Sequence, residues 1–312
     1  MNGPAPTPRN PAAGDADSPR VRWHGPRGWR GRAAPDCRDF DFTAIPWARL
    51  RRQGMAESDG SLRCVKRTRT RQVMRVADAR TFGAAMDRPV YVKRYLIDTM
   101  RRRVGNLLTR GKGRAEHELG RRLLGRGLPT PTPLAWALAG PLAMLGPVDR
   151  DSDAAPASFL LTLEMENQGT AQDFIDSGRA GREPEFFRSL AGFMAGMHDR
   201  GFYHDDCLAK NFCVAPGADF APGRGAPDPL AAFQIHDIDH GRLYRKGVPW
   251  RIRVENLSRM LASMTESGKT GPDTRRLFLR SYLDAARAGP DRGRDPLVRR
   301  LEALAEGAIG SE

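Results

Sequence analysis

The chain has 312 residues, with 51 Lys and Arg against 37 Asp and Glu and a formal net charge of +14 at pH 7. Its length is enough to bury a large core in one two-lobed domain or two small domains, and its charge indicates an anionic partner. The four scattered cysteines argue against a disulfide scaffold, and no apolar run approaches the ~20 residues needed to span a bilayer.

Residues 1–36 are rich in Pro, Gly, Ala and Arg and show no hydrophobic periodicity. Such a segment buries too little apolar surface to offset the entropy of ordering, so we predict a disordered basic tail. The start of the sequence has no apolar core typical of a secretory signal, and we therefore expect a cytoplasmic protein. No folded nucleic-acid-binding motif accompanies the basic residues, so we expect no nucleic-acid partner.

Three strands are predicted next. Residues 62–76 read as two strands around a basic turn, and residues 89–95 alternate and are rich in β-branched and aromatic side chains. Lys93 lies in the third strand, directly after the sequence V-Y-V. Taken alone, Lys93 is most simply an exposed strand lysine.

A helix is predicted over residues 114–126 because its leucines share one face. It carries Glu116, the first candidate to pair with Lys93, and Glu118 is the rival candidate. A helical glutamate that pairs with a strand lysine positions that lysine on the phosphates of a nucleotide.

The middle of the chain contains a predicted buried strand, residues 159–165, which leads into a connector at residues 164–169. An amphipathic helix is predicted over residues 185–200. The Pro- and Gly-rich residues 215–229 predict a surface loop. Later helices are predicted at residues 251–264, 273–286 and 296–304.

The most informative segment is residues 201–214, GFYHDDCLAKNFCV. His204-x-Asp206 and Asn211 have the spacing H-x-D-x-x-x-x-N of a phosphoryl-transfer loop. Such a loop needs a carboxylate to accept the proton of the attacking hydroxyl, and a neutral oxygen ligand for the magnesium that binds the phosphates. Asp206 and Asn211 supply these groups.

Two further residues extend this pattern. Asp237 follows a short apolar segment, at the position where the magnesium-binding aspartate of the D-F-G motif stands in such enzymes. Lys210 has two equal interpretations: it neutralises charge on the transferring phosphoryl group, or it is a solvent-facing loop lysine.

Taken together, the motifs resemble the lipopolysaccharide kinase (Kdo/WaaP) family, a branch of the protein-kinase-like fold. The matching pieces follow the family's order over residues 62–283 and end with the sequence FLRSYL. The resemblance implies an α+β, two-lobed fold. A small antiparallel-sheet N-lobe with one helix would occupy residues 37–165, and a mainly helical C-lobe would occupy residues 166–312.

The resemblance also implies an ATP- and Mg²⁺-dependent kinase that phosphorylates a sugar hydroxyl, such as heptose or Kdo of the lipopolysaccharide inner core. The connector would bind adenine through its backbone, and His204 would brace the catalytic loop. The site residues implied by position are Asp206 and Lys210 for catalysis, Lys93, Glu116, Met165 and Asn167 for the nucleotide, and Asn211 and Asp237 for magnesium.

Several departures from the kinase pattern bear on the acceptor. No Gly-rich phosphate loop is found, and the turn at residues 67–71, RTRTR, stands in its place. Asp205 replaces the arginine of H-R-D, so control through a phosphorylated activation loop is not expected. The phenylalanine and glycine of D-F-G are Ile238 and Asp239. These changes disfavour a regulated protein kinase and suit a small-molecule or glycolipid kinase.

Three alternatives remain open on sequence alone. The His, Asp and Cys residues of the segments 204–207 and 236–240 are ligand types of a metal-dependent hydrolase. That interpretation leaves Lys93 and Glu116 unexplained. The missing Gly-rich loop suggests a catalytically inactive binding module. A third alternative keeps the kinase and changes the acceptor to a small molecule or a protein hydroxyl.

The basic residues are concentrated in one region. Residues 88–126 contain 12 Lys and Arg against 3 Asp and Glu. Each basic residue near an anionic membrane contributes about 1 kcal/mol to binding. We therefore expect peripheral contact with an anionic inner-membrane surface, in which the arginines at positions 101–103 take part.

Overall fold

The computed structural model describes residues 21–23, 29–47, 49–50, 54–96, 111–140, 156–180, 184–221, 227–266 and 268–286, together with residues 296, 299 and 301. The chain forms two compact units. The first comprises Met1–Gly125 and Thr132–Leu163, and the second comprises Arg126–Pro131 and Glu164–Glu312. The predicted lobe boundary after residue 165 lies two residues beyond this division. The arginines at positions 101–103 lie outside the described residues.

The first unit is built on an antiparallel sheet. The strands are β1 (Val21–Trp23), β2 (Arg30–Ala33), β3 (Leu62–Arg67), β4 (Arg71–Val76), β5 (Val90–Leu96), β6 (Pro133–Leu138) and β7 (Pro156–Leu163). In the described residues the strand order is β1-β2-β6-β7-β5-β4-β3. β5 therefore has a neighbour on both sides, and Lys93 lies opposite Val73 of β4 and Leu160 of β7.

The prediction of disorder up to residue 36 is wrong for the end of that segment. β2 pairs with β6, a partner about 100 residues away, and β1 pairs with β2. Trp29 packs against Phe159 with ring centroids 5.1 Å apart. A composition-based argument misses this order because the stabilising partners are supplied by the distant sheet.

One helix, α1 (Lys112–Leu124), packs on this sheet. Its approach is close: a Cβ atom on Gly113 would lie 2.3 Å from the carbonyl oxygen of Phe159. The backbone N–H of Gly113 donates a hydrogen bond to the hydroxyl of Ser158. A glycine at this position therefore lets the first turn of α1 touch β7.

The second unit is mainly helical. Short strand pairs join β8 (Phe202–Tyr203) to β11 (Arg242–Leu243), and β9 (Phe212–Val214) to β10 (Phe233–Ile235). The helices are α2 (Ala171–Asp176), α3 (Pro184–Asp199), α4 (Pro229–Ala232), α5 (Trp250–Glu266) and α6 (Pro272–Ala285).

Aromatic side chains form the centre of this unit. Phe186 and Phe193 of α3 pack against Phe233 with centroid distances of 5.6 and 5.8 Å. Phe220 joins the cluster, 5.2 Å from Phe186, and is 2% exposed. The segment predicted as a surface loop is thus anchored in the core, because a single buried aromatic ring outweighs its Pro- and Gly-rich composition.

Candidate active site

Lys93 and Glu116 meet in the first unit. The ammonium group of Lys93 forms an ion pair with Oε1 of Glu116, and the hydroxyl of Tyr95 donates to Oε2. Lys93 and Tyr95 are two residues apart on β5, so their side chains share one face. Glu116 is 5% exposed, and a buried carboxylate requires such partners.

The choice between the two glutamates follows from helix geometry. Residues two apart on a helix do not share a face, so only one of them can point at β5. Glu118 instead accepts a hydrogen bond from Arg114, 2.8 Å away, on α1 itself. Sequence reasoning missed Tyr95, although its position two residues after Lys93 on one strand is a usable signal.

The turn between β3 and β4 is the segment predicted to stand in the place of a glycine-rich loop. The hydroxyl of Thr68 accepts from the backbone N–H of Arg71 at 3.0 Å and lies 3.2 Å from its carbonyl oxygen. The backbone N–H of Thr68 also donates to that carbonyl at 2.7 Å. Thr68 is therefore engaged in holding the turn.

The predicted connector lies just after β7. Met165 is half-buried and Asn167 is exposed. The side-chain amide of Asn167 donates to the carbonyl oxygen of Met165 at 3.2 Å, and its Oδ1 accepts from the backbone N–H of Gly169 at 3.0 Å. Asn167 thus shapes the connector. A carbonyl oxygen with two lone pairs can still accept a second hydrogen bond at Met165.

The second unit brings Asp206 and Asn211 into contact. The amide nitrogen of Asn211 donates to Oδ2 of Asp206 at 3.0 Å and to its backbone carbonyl at 2.7 Å. Asn211 lies in a 3₁₀ turn, Ala209–Asn211, with the exposed Lys210. Because the nitrogen is turned towards Asp206, the amide oxygen of Asn211 is left as a ligand.

Asp237 is tied to the same loop by backbone contacts. The backbone N–H of His236 donates to the carbonyl oxygen of Asn211 at 2.8 Å. His204 Nε2 donates to the carbonyl oxygen of His236 at 3.1 Å. Burial lowers the pKa of His204, so its ring is neutral and braces the residue before Asp237.

The backbone of Asp237 has φ 54°, the left-handed conformation. Among the described residues it is the one non-glycine residue with a positive φ. Such a conformation is sparsely populated, and aspartate tolerates it better than most side chains. The strain is typical of residues that a functional site holds in place.

An amide on α5 holds the catalytic loop. Oδ1 of Asn256 accepts from the backbone N–H of His204 at 3.2 Å, and Nδ2 donates to the His204 carbonyl at 2.8 Å. His198 Nε2 lies 3.1 Å from the same Oδ1, and His198 Nδ1 lies 2.7 Å from the hydroxyl of Tyr282. Since Oδ1 only accepts, Nε2 of His198 carries the proton and Nδ1 accepts from Tyr282. The bracing role of Asn256 was not predicted from the sequence.

A more exposed cluster lies beside this loop. Arg259 Nη1 is 3.4 Å from Oδ1 of Asp205. The hydroxyl of Tyr203 lies 3.3 Å from Asp205 and 3.2 Å from Glu255, and it donates to one carboxylate at a time. Asp205, which stands in the place of the H-R-D arginine, is thus paired with a cation of the same unit.

The residues present fit a magnesium ion. Asn211 and Asp237 offer an amide oxygen and a carboxylate, the hard oxygen ligands that magnesium prefers. Within the described part of the chain, no group of three or more His, Cys, Asp or Glu side chains is arranged to hold a metal.

None of the described helices is long and apolar enough to cross a membrane.

The class of protein follows from three features. They are the strand lysine paired with a helical glutamate, the loop with Asp206 and Asn211, and the α+β architecture, and together they define a protein-kinase-like phosphotransferase. The family model "Lipopolysaccharide kinase (Kdo/WaaP) family" matches residues 59–282. The match spans well over half of the sequence, and the chain belongs to this family.

Two solved structures are similar to this chain. One match, "WaaP in complex with acyl carrier protein", has a TM-score of 0.48 and 21% identity, and covers 79% of this chain and 88% of that chain. Another, "A divergent kinase lacking the glycine-rich loop regulates membrane ultrastructure of the Toxoplasma parasitophorous vacuole", has a TM-score of 0.41 and 13% identity. It covers 78% of this chain and 84% of that chain. A search of curated proteins found no significant match.

Proposed function

We propose that this kinase transfers the γ-phosphoryl group of ATP to a sugar hydroxyl, with heptose or Kdo of the lipopolysaccharide inner core as the acceptor. The observation that carries the proposal is the contact between Asp206 and Asn211 in a chain of this family. Family membership supports ATP as the phosphoryl donor. The acceptor is the finer part of the proposal.

In this proposal, the exposed carboxylate of Asp206 accepts the proton of the attacking hydroxyl. Its Oδ2 is oriented by the amide of Asn211. Lys93, held by Glu116, binds the phosphates. Magnesium, held by Asn211 and Asp237, would supply charge neutralisation at the phosphates.

The remaining assignments extend the same proposal. The backbone at Met165 and Asn167 binds adenine, and the exposed Lys210 approaches the transferring phosphoryl group. The enzyme works in the cytoplasm, where ATP is present, with peripheral contact at the inner-membrane surface. The excess of basic residues over 88–126 supports that contact.

The test is transfer of label from γ-labelled ATP to saccharide acceptors, with small-molecule and protein acceptors in parallel. Asp206→Asn should reduce turnover by about 10²- to 10⁴-fold, the usual contribution of a positioned base. ATP affinity should be preserved, because the new amide oxygen can still accept from Asn211. Asp205→Asn is the matched control and should retain most of the activity. Near-normal turnover by Asp206→Asn, or label found only on protein, would contradict the proposal.

A further inference from the structure

The segment that follows Asp237 is strongly basic. Residues 241–254 contain five Lys and Arg and no Asp or Glu. One of the five, Arg253, is buried and forms an ion pair with Asp199 at 2.8 Å. The other four are exposed: Arg242, Arg245, Lys246 and Arg251. We call these four residues the basic segment.

The backbone of residues 242–248, which carries three of these four residues, is held by hydrogen bonds. Arg242 and Leu243 pair with β8. The N–H of Tyr244 donates to the carbonyl of Gly201 at 2.8 Å, and the N–H of Val248 donates to that of His198 at 2.8 Å. The guanidinium of Arg126 donates to the carbonyl of Tyr244 at 2.7 Å. The backbone is therefore well supported, which favours recognition over simple solvation.

Three acidic side chains of the second unit are engaged by other residues. Asp205 pairs with Arg259, Asp199 with Arg253, and Glu255 lies 3.2 Å from the Tyr203 hydroxyl. The side chains of the basic segment make no hydrogen bond or ion pair within the described part of the chain. Four unneutralised cations on ten residues produce a local positive potential that attracts an anion.

This charge lies near the proposed base. Arg242 is opposite Tyr203 in the β8–β11 ladder, and Asp206 follows Tyr203 by three residues. Paired Cα atoms lie about 5 Å apart, and three residues span at most about 11 Å. The Cα atoms of Arg242 and Asp206 are therefore at most about 16 Å apart, a span that a short saccharide and an arginine side chain can bridge together.

We propose that the basic segment binds the acceptor through an anionic group, a carboxylate or a phosphate ester, carried by a sugar next to the one that is phosphorylated. Guanidinium groups bind either anion through paired, charge-assisted hydrogen bonds. This inference rests on the proposed function and adds the requirement that the acceptor be an anionic saccharide. Its place beside the catalytic loop favours the acceptor over a membrane lipid as the ligand.

The test compares two variants with equal loss of charge. The first is Arg242→Gln/Arg245→Gln/Lys246→Gln/Arg251→Gln. The matched control is Arg38→Gln/Arg63→Gln/Arg275→Gln/Arg280→Gln. The acceptor is deacylated lipopolysaccharide core oligosaccharide. The first variant should raise the acceptor KM by at least about tenfold, as expected when one charge-assisted hydrogen bond is lost. Its kcat and its KM for ATP should change little, and the control should resemble the wild type.

Chemically altered acceptors identify the anionic group. The same oligosaccharide is used after removal of its phosphates, and separately after reduction of its carboxylates to alcohols. The form that lowers wild-type affinity to the level of the first variant lacks the group that the basic segment recognises. Equal acceptor KM for the first variant and the control would overturn the inference.

Direct binding separates this inference from the proposed function. If the wild type phosphorylates no saccharide, the proposed function fails, but equilibrium titration with the three oligosaccharides still tests the surface. Loss of binding in the first variant alone supports the surface, and equal binding by both variants overturns it. Anionic phosphatidylglycerol vesicles are titrated in parallel. If the first variant loses vesicle binding but keeps saccharide binding, the ligand is a membrane and the inference is wrong.

Discussion

The two units hold their candidate site residues by opposite means. In the first unit, the lysine of β5 is held by a charged partner, Glu116, with help from Tyr95. In the second unit, the backbone of His204 is held by a neutral amide, Asn256. Asn256 is in turn supported by His198, whose pKa is lowered to about 3 by burial.

The difference follows from the roles proposed for these residues. In that proposal Lys93 binds phosphates and must keep its charge, so a carboxylate partner is useful there. His204 needs only a fixed position, and burying a charge to provide it would carry a large desolvation cost. A buried amide that satisfies both a donor and an acceptor avoids that cost. On the proposed roles, a charged partner, the charged brace, holds the residue whose charge takes part in the chemistry, and a neutral partner, the neutral brace, holds the residue for which geometry is sufficient.

The largest expected effect tests the charged brace. Lys93→Ala should lower kcat/KM for magnesium–ATP by about 10²- to 10³-fold, as loss of a preorganised electrostatic contact does. Raised magnesium should partly restore Asp237→Asn and should not restore Lys93→Ala, because only Asp237 would act through the metal. Steady-state kinetics over a magnesium series measure this. Arg63→Ala, an exposed cation on β3, is the control, and equal magnesium rescue of both site variants would contradict the assigned roles.

The next effect tests the neutral brace. Asn256→Ala leaves the His204 N–H and carbonyl and the His198 N–H without their partner, at about 1–3 kcal/mol for each buried group. We expect the free energy of unfolding to fall by about 3 kcal/mol or more, the sum of the lower values for the three groups, and kcat to fall with it. Urea unfolding and kinetics measure both, with Ser258→Ala on the exposed face of α5 as the control. Identical urea midpoints for these two variants would mean that the network adds no stability.

The pH dependence of stability compares the units directly. Burial lowers the pKa of His198 to about 3 and that of His117, in the first unit, to about 4. An unfolded histidine titrates near 6.5, so protons bind the unfolded chain more strongly between that pH and the folded pKa. The contribution of these histidines to the free energy of unfolding is thus fully present above about pH 6.5. It should fall as pH drops below that value, by about 1.4 kcal/mol per pH unit for each histidine.

Urea unfolding between pH 7 and pH 4 measures this slope. His198→Gln removes one titrating group and should reduce the slope, and His117→Gln should do the same in the first unit. If the slope persists unchanged in both variants, acid sensitivity arises from other groups.

The smallest expected effect concerns the exposed cluster. The pair of Arg259 and Asp205 is about 40% exposed on both sides, at 43% and 42%. Exposed ion pairs contribute about 0–1 kcal/mol, so Arg259→Gln should change stability by no more than that. Arg276→Gln, which removes a similar exposed pair with Asp273, is the control. A much larger loss for Arg259→Gln would place this cluster among the braces of the catalytic loop.

Much of the candidate site was predictable because its spacing is local. Asp206 and Asn211 are five residues apart, and a single loop and 3₁₀ turn bring them together. The strand with Lys93 and the helix with Glu116 follow from side-chain periodicity. The family and its α+β kinase-like fold were also predicted correctly from the order of these motifs.

The partners that hold these residues were decided by tertiary structure. The approach of α1 to β7 through Gly113 selected Glu116 over Glu118. Asn256 lies 52 residues from His204, and Tyr282 lies 84 residues from His198. The sequence determines which groups can donate or accept hydrogen bonds. Their pairing across such separations depends on how helices and sheet pack, since a buried polar group takes whichever partner the packed core brings within reach.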